Sequence, residues 1–268
     1  MDLPELSEAA ASADKAAIYA EMRHLGGVPM VALIFRHLAT LPGALEWLWD
    51  AVSPAWRSGV LQETAWRIAR AEPLVPIAPM SRPALAALGV DDAALQEIRS
   101  VIESYDRANP ENLLTVMCAL RLVGGRDRKR EFASRDWVPP PAPGPLVPMG
   151  NLRTLPPEVD AILSLVAEPA PQGGERVVQS LYRHFLHRPA FLAFAVTLLR
   201  QRIDDGSVDQ ASRRIQAAMA LAADEIVEGL RAPPVPHPGV VPVCTRFAGG
   251  IIPRMIVVGR LLRGGLPE

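Results

Sequence analysis

The chain has 268 residues, 49% hydrophobic and 21% charged, a balance that suits a folded globular protein and excludes a disordered one. Its formal net charge of −1 excludes a broad nucleic-acid or acidic-membrane surface, because neutralising phosphates takes a basic excess. Two cysteines, Cys118 and Cys244, are too few for a disulfide framework, and neither belongs to a CxxC pair, which removes zinc-ribbon and thioredoxin-like readings.

The N-terminal stretch MDLPELSEAAASADKAA is acidic and lacks the apolar segment of a signal peptide. No run is expected to approach the roughly 18 apolar residues that span a bilayer, so the expected setting is the cytoplasm, with no membrane partner. Apolar residues recur at helical spacing and β-branched alternation is scarce. A first helix is expected from Asp14 to about His24 and a second from Met30 to about Leu41, with Pro29 tolerated in its first turn. Pro42 opens a third, which Pro54 kinks or restarts. Gln62 to Ala71 reads as helix, and Pro83 to Leu88 as a short one that Gly89 ends. Asp91 or Asp92 caps a helix from Ala93 to about Tyr105, and Asn109-Pro110 starts another that runs through Leu122 to a Gly-Gly stop.

After the charged run RDRKR (Arg126 to Arg130) comes VPPPAPGPLVP, whose proline density favours an extended, stiff spacer. Helical signals resume at Glu158 and continue to about Leu230. A second proline run, Pro233 to Pro242, precedes a last apolar segment, Arg246 to Leu262.

The two parts resemble one another. Ile34 to Leu45 reads IFRHLATLPGAL and Leu181 to Leu192 reads LYRHFLHRPAFL, so that Arg-His is followed five residues after the His by Pro at the same spacing, without gaps. Each is followed by a long helical tract, a proline-rich run and an apolar helix with an early Pro (Pro110, Pro253). The expected fold is therefore all-α: a two-repeat helical pseudo-dimer with residues 1–135 as first repeat, 136–150 as Pro-rich linker and 151–268 as second repeat. Any small-molecule pocket is expected between the repeats.

Residue chemistry alone gives no catalytic constellation. The Gly-Gly pairs at 26, 124, 173, 249 and 264 match neither GxGxxG nor GxxxxGK[ST], and there is no GxSxG elbow. His184 and His187 share a helix face at i,i+3, but no Asp, Glu or Cys accompanies them and Arg183 and Arg188 repel a cation, so interface histidines are the favoured reading. Arg36-His37 and Arg183-His184 form a repeated pair suited to packing or capping in each part, or to a joint role at the pseudo-twofold centre. Trp47, Trp49 and Trp56 are expected in the core of the first part. No metal or cofactor is called for, and the sequence leaves a homo-oligomer open.

Longer segments carry a family likeness. VPMVALIFRHLATLPGALEWLW (Val28 to Trp49) and LGVDDAALQEIRSVIESYDRANPENLLTVMCAL (Leu88 to Leu120) closely resemble the group I 2-haloacid dehalogenases, which hydrolyse D- and L-2-haloalkanoic acids. Gly173 to Leu192 and TRFAGGIIPRMI (Thr245 to Ile256) resemble the family more loosely. The resemblance implies an all-α pseudo-dimer and a carboxylate-activated water that displaces halide at the α-carbon with inversion. A positioned base of that kind is worth ~10²–10⁴-fold.

Carried over by position, it implies a substrate pocket involving Met30 and Leu33, where the family has aromatic residues, with Asn109 as donor to a substrate carboxylate. Asn112 and Cys244 stand where the family has Tyr. Ser58 and Gln62 fall on a family Thr and Glu at i,i+4, and Ser180 on a family Ser. The family's catalytic Asp falls on Leu181, which cannot accept a proton; Glu175 is the nearest upstream acid. Two expectations follow. One is a dehalogenase-type enzyme acting on a small organic acid with a replacement base (His184, His187, Glu63 or the substrate itself). The other is a non-catalytic homologue that binds a small ligand in a cavity lined by Met30, Leu33, Leu181 and Cys244. A carboxylate in the pocket separates them, and an enzyme without one would need a histidine base.

Overall fold

A computed structural model describes residues 3–125, 129, 131–132, 136–167 and 178–268. Most of the RDRKR run, the Gly-Gly pair at 173, Glu175 and the 135 boundary lie outside those residues. The described residues are helical, with no strand among them. The α-helices are α1 (Ala13–Gly26), α2 (Leu33–Leu38), α3 (Ala44–Arg57), α4 (Val60–Ala71), α5 (Arg82–Ala87) and α6 (Asp92–Leu122). They continue with α7 (Pro157–Ser164), α8 (Ser180–His184), α9 (Pro189–Asp204), α10 (Ser207–Ile226), α11 (Val240–Arg246) and α12 (Ile252–Gly265).

Local chemistry sets several of these boundaries. Gly27 and Gly89 follow α1 and α5 with φ of 58° and 76°, the left-handed turn that a side chain would disfavour. Asp91 caps α6 by accepting from the Ala94 amide at 2.8 Å. Trp47, Trp49 and Trp56 are buried on α3, as expected, and Trp56 donates to Thr115 at 2.9 Å across to α6.

Four expectations need correction. The second helix begins at Leu33 rather than Met30, because the backbone at Val31 is bonded to side chains: its amide donates to Glu8 and its carbonyl accepts from Arg36. Pro54 does not restart a helix; α3 runs through it from Ala44 to Arg57. Asn109-Pro110 does not start a helix. It lies inside the 31-residue α6, where burial on all sides holds the helix together despite the missing N–H, a defect that costs an exposed helix about 3 kcal/mol. Finally, one segment is long and apolar enough for a membrane: Val240–Gly265, 26 residues with a mean hydropathy of 1.4. Arginines interrupt its apolar run, which hid it from a count of consecutive residues. Half of its apolar window is buried, and the segment packs against α6 and α10, as a core helix does.

That last segment is continuous because α11 passes into α12 through a single π turn, Phe247–Ile251. Pro253 lacks the N–H that a regular α-turn needs there, and Gly249 and Gly250 let the backbone widen. The residues after 136 run extended along the helices, and side chains satisfy their carbonyls. Arg107 donates to the Pro141 carbonyl at 2.8 Å and His187 bonds the Pro148 carbonyl at 2.7 Å; in the other direction, the segment's own Trp137 indole donates to the Leu25 carbonyl at 2.8 Å.

Candidate functional site

A cavity of about 50 Å³ opens where α2, α6, the start of α8 and the π turn converge. Tyr105, Asn109 and Asn112 reach it from one face of α6, at the i, i+4, i+7 spacing that stacks side chains on a helix. Leu33 and Ile34 come from α2, Gln179, Ser180 and Leu181 from the entry to α8, and Phe247, Ile251 and Met255 from the π turn and α12. The wall is mainly apolar, with a few polar groups converging on it, the usual composition of a small-ligand site. No Asp or Glu lines it among the described residues.

Two of its polar atoms lack partners. The Asn109 amide nitrogen and the Gln179 side-chain oxygen are buried without a hydrogen bond among the described residues. A buried donor or acceptor left unpaired costs about 1–3 kcal/mol, so this pair, one of each kind, is a standing demand for a ligand.

Behind the cavity the polar groups form a chain. His184 is buried, with Nδ1 2.6 Å from the Val147 carbonyl and Nε2 3.1 Å from Tyr105 Oη. A carbonyl can only accept, so in the neutral ring Nδ1 carries the proton and Nε2 accepts from the Tyr105 hydroxyl. Ser180 in turn hydrogen-bonds to that hydroxyl. Burial lowers the His184 pKa below 6.5; the hydrogen bond to the Val147 carbonyl is the main opposing influence, and the charges of Arg183, Arg36 and His187 add smaller lowering contributions. Burial pushes the Tyr105 phenol up to about 12, against the nearby Arg36 and Arg183 charges and the Ser180 hydrogen bond. Both groups therefore sit neutral at pH 7.

The repeated Arg-His pairs meet here. Glu5 accepts from Arg36 at 2.9 and 2.6 Å and lies 3.9 Å from Arg183, so one carboxylate serves both arginines. His37 bonds the Pro4 carbonyl at 2.7 Å, much as His184 bonds Val147.

Of the residues singled out in the sequence, Leu33, Asn109, Asn112, Ser180 and Leu181 are brought together in the cavity. Met30, Ser58, Gln62 and Cys244 are not among those lining it. Ser58 donates to Ala55 at 3.0 Å and accepts from Val60 at 3.4 Å, between α3 and α4. Gln62 is fully buried and ties α4 to Leu25 and Trp56 through their carbonyls, at 3.1 and 3.0 Å. Cys244 is buried in α11, and burial pushes its thiol up to about 12, away from nucleophilic use. Among the replacement bases, His187 is held at the protein surface by Pro148 and Glu63 is exposed on α4. Tyr105, Gln179, Phe247, Ile251 and Met255 were not singled out. Only the Gly-Gly-Ile-Ile-Pro stretch around the π turn carried a local signal for them.

No protein-family profile matches the chain. A configuration-inverting 2-haloacid dehalogenase of Alcaligenes xylosoxydans xylosoxydans is 30% identical to it over 173 residues, 62% of this chain. The matched stretch spans 58% of that relative, less than two thirds of its length. Among solved structures, a D-2-haloacid dehalogenase mutant in complex with D-2-CPA superposes with a TM-score of 0.71 at 17% identity, covering 97% of this chain and 95% of its own. A D-2-haloacid dehalogenase mutant gives 0.73 at 16%, covering 98% and 95%, and a D-2-haloacid dehalogenase complex with L-LA gives 0.63 at 18%, covering 98% and 92%. The chain is thus similar in sequence to a 2-haloacid dehalogenase and shares the all-α fold of the D-2-haloacid dehalogenases, as the sequence resemblance implies.

Proposed function

We propose that this 2-haloacid dehalogenase-like protein takes a short 2-halo-substituted alkanoic acid into the cavity between α2, α6, α8 and the π turn, and hydrolyses it by direct displacement at the α-carbon. The observation that carries the reading is the unpartnered pair on the cavity wall, Asn109 Nδ2 and Gln179 Oε1. A substrate carboxylate oxygen satisfies the donor, and a water proton satisfies the acceptor and aims that water at the α-carbon. The small, apolar remainder of the wall suits a short alkyl chain and a halogen. The solved neighbours named as complexes with D-2-CPA and L-LA are proteins of the same fold, which supports a ligand of this size.

With Leu181 at the position of the family's Asp, the proton acceptor in this reading is the Tyr105–His184 pair. As the water oxygen bonds to the α-carbon and the halide leaves with the carbon–halogen bonding electrons, a water proton passes to Tyr105 Oη. The phenol's own proton moves to His184 Nε2. The resulting imidazolium returns that proton to solvent, so the reaction yields a 2-hydroxy acid, halide and one proton.

Halide release from 2-chloropropionate tests this. The parent protein is expected to release chloride, and Asn109→Ala to abolish it. Tyr105→Phe and His184→Ala are expected to lower kcat by ~10²–10⁴-fold. Because burial lowers the His184 pKa, the acid limb of the kcat profile is expected below pH 6.5. A second reading, a non-catalytic protein that binds a small acid in the same cavity, is favoured by Leu181 and by the lack of any carboxylate among the described lining residues. No chloride at high protein concentration, with binding of the acid retained, would replace the first reading by the second.

The same proposal includes an origin by duplication, with repeats at 1–135 and 151–268. It is supported by the order α2, α3, Gly59, α4 in one part and α8, α9, Gly206, α10 in the other, both glycines having positive φ.

A further inference from the structure

On the other side of α6 from the cavity lies a second, polar cleft of about 150 Å³. Arg70 and Trp66 reach it from α4, Glu103, Asp106 and Arg107 from α6, and Arg260 and Arg263 from α12. Four guanidiniums thus face two carboxylates. Asp106 is committed to Arg263 at 2.6 Å, while Glu103 forms no ion pair among the described residues. The next carboxylate, Glu72, pairs outward with Arg214 at 2.6 Å.

The remaining three arginines are held by neutral groups. Arg260 donates to the Glu72 and Arg70 carbonyls at the end of α4, at 2.7 and 3.3 Å. Arg107 donates to Gly27 and Pro141 carbonyls at 2.5 and 2.8 Å, both through the same terminal nitrogen. Arg70 stacks 6.0 Å from the Trp66 ring centre. Those bonds explain how the side chains are positioned, but a carbonyl or a ring cancels no formal charge. Each guanidinium has five N–H donors, so most remain free. Burial is the leading cause that lowers the pKa of Arg107 and of Arg260; Glu111 and Glu103 oppose it at Arg107, Asp106 and Glu72 oppose it at Arg260, and the Arg263 charge adds a smaller lowering at both. The cleft is therefore a partly buried cluster, with Arg107 and Arg260 half-buried and Arg70 and Arg263 exposed at its rim, and by formal charge it holds two positive charges in surplus.

We infer that the cleft bounded by Arg70, Arg107, Arg260 and Arg263 is a binding site for a dianionic oxyanion, a phosphate group. Two surplus charges match one dianion, the forked donors match its oxygens, and the concave, partly buried setting keeps the attraction from being fully screened. The site is separate from the cavity assigned to the haloacid and shares no lining residue with it.

Calorimetric titration of the full chain with inorganic phosphate and, in parallel, with glycerol 3-phosphate tests this, using sodium chloride of matched ionic strength as the control. Saturable binding of one phosphate group per chain is expected, weakened about tenfold by Arg70→Gln and about tenfold by Arg260→Gln. Arg70 anchors only a ring, so Arg70→Gln is the variant that keeps the fold intact; circular dichroism checks both. His184→Ala should leave phosphate affinity unchanged, which separates this result from the fate of the dehalogenase reading. Tighter binding of the ester assigns the site to a phosphorylated metabolite, and equal or weaker binding to free phosphate. Heat no greater than that of chloride, or unchanged affinity in folded Arg70→Gln, would overturn the inference.

Discussion

Glu111 shows how far a single side chain can depart from what its neighbours in the sequence suggest. It sits two residues after Asn109, yet it points away from the cavity: a Cβ placed on Gly26, at the end of α1, would come within 2.7 Å of its Oε2. Both its carboxyl oxygens are buried without a hydrogen bond among the described residues. Burial raises its pKa well above 4.5, against the pull of Arg107 and of the Trp66 indole, which itself donates to the Arg107 carbonyl. The native state therefore keeps a proton that the unfolded chain loses from about pH 4.5 upward. The stability this group contributes is fully present below that pH and falls as pH rises toward the folded value, by about 1.4 kcal/mol per pH unit. Glu111→Gln keeps the shape and cannot ionise, so urea midpoints measured from pH 5 to pH 8 should lose that downward slope. An unchanged slope in the variant would place the titration elsewhere. At this scale Asn109, Asn112, Leu33, Ser180 and Leu181 were legible through the family likeness. Tyr105 and His184 were not legible as a pair, because 79 residues separate them and only the fold brings Oη to Nε2.

Among the elements, the Pro-rich spacer was legible and its docking was not. A run such as VPPPAPGP announces extended backbone, but nothing in it says which surface its carbonyls will meet. The answer is written in residues far away: Arg107, His184 and His187 as donors, and Gly27 and Gly59 as gaps. Gly59 has φ of 75°, and a Cβ there would lie 2.3 Å from the Trp137 ring, while a Cβ on Gly27 would lie 2.3 Å from the Pro140 carbonyl. Gly59→Ala is thus opposed twice, by backbone conformation and by the indole, and should destabilise the protein by about 1–3 kcal/mol. Because the indole is the group that must give way, the loss should appear as faster proteolytic cutting within 136–150 than within α6. Equal cutting rates in parent and variant would mean that Trp137 does not hold the spacer. The unbroken α6 belongs to the same lesson. Pro110 reads as a helix start in a local window, and only the helices packed around it, α4, α10 and α12, make continuation the lower-energy choice.

For the molecule as a whole, duplication and independent folding make different demands. Residues of the first part and of the last helices belong to a single buried cluster that extends from Tyr19 to Leu262. Its axis is α6, which lies in the first part by sequence but packs against α10 and α12 of the second as well as α4 of the first. Neither part can bury that face alone, so two repeats in sequence should still unfold as one cooperative unit. Leu114, fully buried on α6, is the place to ask. Leu114→Ala removes buried methyl groups and leaves a cavity, which costs about 2–5 kcal/mol. If the core is shared, calorimetry should record one transition in both proteins, moved to lower temperature as a whole in the variant. A variant trace that splits, with one component melting at the parent's temperature, would mean that the second part is stable without α6. The cavity between α2, α6, α8 and the π turn would then join two separable bodies, and the alignment of Asn109 with Gln179 across it would depend on their docking rather than on a common core.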